Sequence, residues 1–262
     1  MGQRISFVLA ACEHGSMIVN RLDYRMVASD RGCGVGWDIL ETGVFCRTEI
    51  NNVRTLLQLR RARHGDGVVA LDCGANIGAF TVEWAREMAG WGSVIAIEAQ
   101  ERIFYALAGN IALNNCFNAR AIHAAVAAAN GTMGMPVPDY RRSGSFGSLE
   151  LRRTERTEFI GQDIDYAPER LARVTTLTID SLDLSRLDVI KLDVEGMEVE
   201  ALEGAAHTIA ALRPVIVAEQ VKTDVARMTA LLEDAGYRTF PLGMNLLAVH
   251  ADDPVLPHIK VT

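Results

Sequence analysis

The run Val68-Val69-Ala70-Leu71 ends on Asp72, turns through Cys73-Gly74-Ala75-Asn76-Ile77-Gly78, and continues from Ala79-Phe80 with helical spacing. A short apolar run that closes on a carboxylate and a glycine turn reads as an inner strand of a parallel sheet. In such sheets the strand's carboxyl end and the next helix's amino end form the crevice where nucleotide-like ligands sit. About twenty residues further on, Val94-Ile95-Ala96-Ile97 closes on Glu98. A carboxylate at that second strand end is suited to hold the two hydroxyls of a ribose.

From Val68 onward, apolar runs alternate with helical patterns, as βαβ units do. The pattern predicts strand 68–72, helix 77–89, strand 94–98, helix 103–114 and a third strand over 121–127. It resumes with strand 187–193, helix 199–212, strand 215–219 and helix 224–235. Residues 236–249 read as an antiparallel hairpin turning through Pro241 to Met244. The expected architecture is therefore an α/β, Rossmann-like fold with a mostly parallel sheet closed by that hairpin. Residues 1–66 read as an amino-terminal extension of short strands, a glycine loop at Gly32, Gly34 and Gly36, and a helix over 49–63. Residues 67–262 form the main domain, with an insertion at about 130–174 that breaks the rhythm and carries Arg141, Arg142, Arg152 and Arg153.

At 262 residues with 49% apolar and 23% charged side chains, the chain has globular composition. A net charge of −7 argues against nucleic acid as a partner. Five scattered cysteines without a Cys-x-x-Cys pair suit reduced thiols and a cytoplasmic location better than disulfides or zinc. No apolar stretch approaches the roughly 20 residues of a membrane span, so no stable membrane insertion is expected. Met1-Gly2-Gln3-Arg4-Ile5-Ser6 matches the bare myristoylation pattern, and Leu9-Ala10-Ala11-Cys12 resembles a lipoprotein cleavage box. Both patterns are short, and an ordinary first strand accounts for the segment. The oligomeric state is not legible.

A dinucleotide turn reads Gly-x-Gly-x-x-Gly, whereas here the middle glycine is Asn76 and a carboxylate precedes the turn. Negative charge at that point opposes a diphosphate and suits a ligand with ammonium and sulfonium groups, S-adenosylmethionine. A nicotinamide-dependent oxidoreductase and a non-catalytic scaffold retaining the fold are the alternatives. The turn and its surroundings resemble the FkbM family of S-adenosylmethionine-dependent methyltransferases. The resemblance rests on Asp72-Cys73-Gly74-Ala75-Asn76-Ile77-Gly78, on Glu98, and on Asn110-Ile111-Ala112-Leu113-Asn114. It extends to Lys191-Leu192-Asp193-Val194-Glu195-Gly196-Met197-Glu198, to Leu202-x-Gly204, and to Glu219 and Asn245. It runs from about Gly36 to the terminal hairpin and departs at Ala99-Gln100, where the family usually has proline. It implies a class I methyltransferase fold with a seven-stranded sheet. It also implies methyl transfer to a hydroxyl oxygen, often of a sugar or polyketide.

The expected cofactor-binding residues are Asp72, Gly74, Asn76, Gly78, Glu98, Ala125 and Val126. Asp72 competes with a helix-capping role. Asp193 and Glu219 end strands at the crevice, which makes them the candidates for taking the hydroxyl's proton. Lys191 lies two residues before Asp193 on the same sheet face and would pair with it. Glu195 is the fourth catalytic candidate, with a turn-forming role as its rival. Magnesium is not expected as a required cofactor; were a divalent ion used, Asp193, Glu219 and Gln220 would be its oxygen ligands. His123 is expected to be a satisfied strand-end histidine, His207 a surface residue, and the four arginines a solvated loop rather than an anion site.

Overall fold

The computed structural model describes residues 5–259, so most of the Met1–Ser6 pattern lies outside the described residues. The first part of the chain holds a hairpin, β1 (Phe7–Cys12) and β2 (Gly15–Asn20), and the short pair β3 (Arg25–Met26) and β4 (Gly32–Cys33). Helices α1 (Val35–Thr42) and α2 (Arg47–His64) follow. The expected Gly32–Gly36 loop is thus a strand end and a helix start. Next come β5 (Val68–Cys73), α3 (Ala79–Glu87), β6 (Gly92–Glu98), α4 (Glu101–Leu113) and β7 (Ala119–His123). A small sheet follows, built from β8 (Ala125–Val126), β9 (Gly131–Met135) and β10 (Ala172–Leu177). The chain then supplies β11 (Val189–Leu192), α5 (Glu198–Glu203), α6 (Ala206–Leu212), β12 (Val215–Glu219) and α7 (Val225–Asp234). It closes with β13 (Tyr237–Leu242) and β14 (Asn245–His250).

Seven strands form the central sheet in the order β13-β14-β12-β11-β5-β6-β7. The five from β12 to β7 run parallel, and β13 and β14 are antiparallel. This is the class I methyltransferase arrangement, Rossmann-like with an antiparallel terminal hairpin. Alternation along β5 divides the core. Val68 and Ala70 pack with α2, α3 and the β1–β2 hairpin, while Leu71 and Cys73 pack with α5, α6 and α7. Asp72 and Lys191 stand opposite each other in the β5–β11 register, on the face of Ala70 and Val189. The sheet therefore delivers an acid and a base together at its carboxyl edge.

Two polar ties fix the elements around that edge. Buried Arg60 of α2 pairs with Asp188 and Asp253, and Asp188 also accepts the Val69 N–H at 2.9 Å, seating α2 under the sheet. Asn110 of α4 accepts the Ile18 N–H and donates to the Ile77 carbonyl at 2.8 Å. One side chain thereby joins the β1–β2 hairpin to the turn after β5.

Two expected elements are divided. The strand expected over 121–127 leaves the main sheet after His123, where the Ala124 N–H turns back to the Glu98 carbonyl. Ala125 and Val126 pair instead with β10. The helix expected over 199–212 breaks at Gly204, whose carbonyl accepts from the Asp180 N–H. Asp180 then caps the second helix through the N–H groups of His207 and Thr208. Neither diversion has a local signal, because both partners lie far away in sequence.

Candidate active site

A cavity of about 370 Å³ lies over the carboxyl ends of β5, β6, β11 and β12. Its floor carries Asp72, Glu98, Lys191, Asp193 and Glu219, and the α1–α2 region contributes Val35 and Cys46. The segment around the single turn Phe146–Ser148 covers it from the insertion.

At one end, Asp72 is fully buried, and its Oδ2 accepts from the Thr81 hydroxyl at 2.6 Å. Its Oδ1 has no partner among the described residues. Burial pushes its pKa up, against the pull of Lys191 and Thr81. The capping role fails because α3 begins at Ala79 with Gly78 as its cap residue. A buried carboxylate oxygen without a donor, facing a cavity, calls for a cationic hydrogen-bond donor from a ligand.

The turn from Gly74 to Gly78 lies beneath that ligand position. Gly74, Asn76 and Gly78 all have positive φ, at 77°, 50° and 88°. A Cβ on Gly74 would fall 1.7 Å from the Asp193 carbonyl oxygen, so only glycine fits there. Glu98 is held by two backbone donors, Asn76 N–H at 2.9 Å and Gln100 N–H at 2.7 Å, one to each oxygen. Each oxygen keeps a lone pair for a hydroxyl. Burial outweighs those bonds and raises Glu98 to about 7. Ala125 and Val126 line the same cavity as an apolar shelf. An orphaned acid, a glycine cradle, a diol-holding glutamate and an apolar shelf together fit an adenosyl amino acid.

At the other end, Lys191 is buried and donates to Asp193 Oδ2 at 2.8 Å. Burial opposes its charge, but Asp193 and Asp72 more than restore it, and its ammonium also lies 4.7 Å from the Phe80 ring centroid. Oxygens of Asp193, Glu195 and Glu219 all lie within 4.8 Å of one another. Glu195 sits in the turn after β11 with φ 54°, and Lys222 donates to it at 2.6 Å. Burial and then Asp193 raise Glu195 well above the usual carboxylate range. Glu219 accepts no hydrogen bond among the described residues, and burial together with Asp193 raises it to about 7.

The profile of the methyltransferase FkbM domain matches residues 72–239, well over half the chain. The chain belongs to the FkbM methyltransferase family. Membership makes this an S-adenosylmethionine-dependent methyltransferase domain. No curated protein matches the chain. Among solved structures, methyltransferase FkbM from Methylobacillus flagellatus is 17% identical, with TM-score 0.48, covering 71% of this chain. This chain spans only 43% of that one. A precorrin-6y C5,15-methyltransferase from Geobacter metallireducens is 17% identical over 80% of this chain and 92% of its own, with TM-score 0.44. A putative caffeoyl-CoA O-methyltransferase from Staphylococcus aureus is 12% identical over 82% and 88%, with TM-score 0.46.

In this FkbM-family chain the acid cluster is Asp193, Glu195 and Glu219, and Gln220 is not among the residues that line the cavity. Oxygen ligands at this spacing suit a hard divalent ion in principle. Lys191 pairs with Asp193 and Lys222 with Glu195, which leaves Glu219 as the acid of the three without an ion pair among the described residues. His123 Nε2 donates to the Ala99 carbonyl at 3.0 Å, and the ring stacks on Phe104 outside the cavity. His207 is exposed on α6. The insertion arginines also face away: Arg141 pairs with Asp139, Arg152 pairs with Glu200, and Arg142 and Arg153 are exposed. Lys222 and the insertion residues Ser148 and Glu158 carry no motif. The one usable signal is a lysine three residues after a strand-ending glutamate.

Proposed function

We propose that the chain transfers a methyl group from S-adenosylmethionine to a hydroxyl oxygen of a small molecule or glycan, of sugar or polyketide type. The observation that carries this reading is Glu219, a carboxylate at the cavity floor with no donor of its own and a proton affinity raised to about 7. Such a group is matched to removing a proton from a neutral hydroxyl near neutral pH. Bound S-adenosylmethionine would supply an activated methyl on a sulfonium and a leaving group that needs no proton. The protein's task is then to align the oxygen and receive its proton.

In this reading Asp72 Oδ1 receives the amino group, Glu98 the ribose hydroxyls, and the Gly74–Gly78 turn allows close backbone approach. Ala125 and Val126 flank the adenine. Asp193, fixed by Lys191, orients the acceptor hydroxyl, and Glu219 takes its proton. Residues 1–66 and the insertion at about 130–174 supply the acceptor wall, which assigns them substrate choice. The cavity's acidic floor and the net charge of −7 oppose a nucleic-acid acceptor. No described helix is long and apolar enough to cross a membrane. All five cysteines are unpaired thiols, which supports a cytoplasmic enzyme.

Calorimetry with S-adenosylhomocysteine and NADH, followed by label transfer from methyl-labelled S-adenosylmethionine to a panel of sugars and macrolactones, tests the proposal. Binding of S-adenosylhomocysteine alone and a labelled methyl ether are expected. Glu219→Gln should lower kcat at least ~100-fold, the typical contribution of a positioned base, while cofactor binding stays within about threefold of wild type. Below about 7 the wild-type rate should fall as Glu219 takes up its proton. Binding of NADH without S-adenosylhomocysteine would sink the reading.

A further inference from the structure

Lys222 lies just past β12, and the hydrogens of its ammonium are spoken for. It donates to Ser148 O at 2.8 Å and to Glu195 Oε2 at 2.6 Å, and it pairs with Glu158 Oε2 at 2.9 Å. Ser148 and Glu158 are the two feet of one loop of the insertion, and Ser148, Leu149 and Leu151 of that loop line the cavity. Glu195, in the acidic turn after β11, lines the same cavity.

The loop is braced from within and from behind. Buried Glu150 accepts the Glu158 N–H at 2.8 Å, and Tyr166 donates its hydroxyl to the Glu150 carbonyl at 3.0 Å. Arg25 of β3 pairs with Glu158 and donates to the Phe159 carbonyl at 2.9 Å. None of these contacts reaches the sheet. Lys222 joins this braced loop to the acidic turn itself through Ser148 and Glu195, beside the Arg152–Glu200 pair and the apolar cluster that Leu151 shares with Met197.

We propose that Lys222 is a positioning residue that fastens the 148–158 loop to the acidic turn and so fixes the acceptor wall of the cavity. The proposal rests on the methyltransferase reading for the word acceptor, but the fastening itself does not. A point charge with three donors on a flexible stem suits this three-way junction. Its side chain is held between the loop and the turn and is only about one tenth exposed. Methionine in its place keeps the stem volume and deletes the donors, leaving two carboxylates and a carbonyl without their shared partner.

The test uses the full chain, trypsin and S-adenosylhomocysteine. Arg152, Arg153 and Arg156 are exposed within the loop and give tryptic sites. In Lys222→Met, cleavage at those arginines should accelerate at least ~10-fold relative to cleavage at Arg142, which lies outside the loop. Amide exchange over 148–158 should rise in parallel. The dissociation constant for S-adenosylhomocysteine should stay within about threefold, since Asp72 and Glu98 are untouched. Lys222→Arg should restore most of the protection, and Glu158→Gln should reproduce the loss on the loop side alone. With the best acceptor from the panel, KM for that acceptor should rise more than kcat falls. Unchanged cleavage and exchange in Lys222→Met would overturn the proposal, as would loss of cofactor binding to the same extent as loop protection. Failure of wild-type protein to bind S-adenosylhomocysteine would instead overturn the methyltransferase reading and leave the proteolysis result to decide the fastening.

Discussion

Two glutamates in this chain are both withdrawn from water and differ in everything else. Glu83 on α3 receives His14 Nδ1 at 3.0 Å and Arg47 at 2.7 Å, where the amino-terminal segment is pinned to the domain. His14 Nε2 accepts the Phe45 N–H at 2.8 Å, so the ring's proton lies on Nδ1 and the neutral imidazole satisfies both partners. Burial alone would raise Glu83, but those two donors override it and draw it down to about 2. Glu219 has no donor, and burial with its acidic neighbours carries it up to about 7. Partners, not depth, decide which of the two holds a proton at neutral pH. The paired acid is an anchor; the unpaired one is free to do chemistry.

The largest way to sharpen that contrast beyond Glu219 is at Glu98, an acid with two backbone donors that still has lone pairs for a ligand. Glu98→Gln should weaken S-adenosylhomocysteine binding about 10- to 100-fold, the loss of charge-assisted bonds worth about 1.5–3 kcal/mol, read by calorimetry. Glu83→Ala should do the opposite. Stability in urea should drop by about 1–3 kcal/mol from the broken network, while the cofactor constant stays unchanged. If Glu83→Ala impaired binding as strongly as Glu98→Gln, the division between anchor and ligand acids would fail.

The smallest effect is in the pH dependence of melting. A depressed acid stabilises above its ordinary value of 4.5 and loses that contribution as pH falls toward about 2, as for Glu83. An elevated acid works in reverse: Glu98 and Glu219 bind protons better folded than unfolded, so stability declines as pH climbs from 4.5 to about 7. Melting temperatures across this range should therefore rise from the acid side and fall again before neutrality. The upper decline should be shallower in Glu219→Gln, which cannot titrate.

Much of the frame was readable in the sequence because it depends on local pattern. The apolar runs ending on Asp72, Glu98 and Glu219 became β5, β6 and β12, and the hairpin closed the sheet as expected. What could not be read were events decided by distant partners. The chain's exit from the sheet at Ala124 and the break at Gly204 depend on Glu98 and Asp180. The junction at Lys222 depends on an insertion some seventy residues upstream, which no spacing rule connects to it. Gln220 neighbours Glu219 in sequence, yet alternation along an extended chain sends adjacent side chains to opposite faces. Glu195 reaches the cluster because its positive φ bends the turn inward.

The backbone of Gly74 rests directly on the carbonyl of Asp193, with no room for even one added carbon. On the proposed reading, the strand-end loop assigned to the donor and the strand-end loop assigned to the acceptor are therefore a single mechanical part. A substitution that shifts one by a fraction of an ångström is transmitted to its neighbour. Any redesign of one of these two loops must therefore accommodate the other.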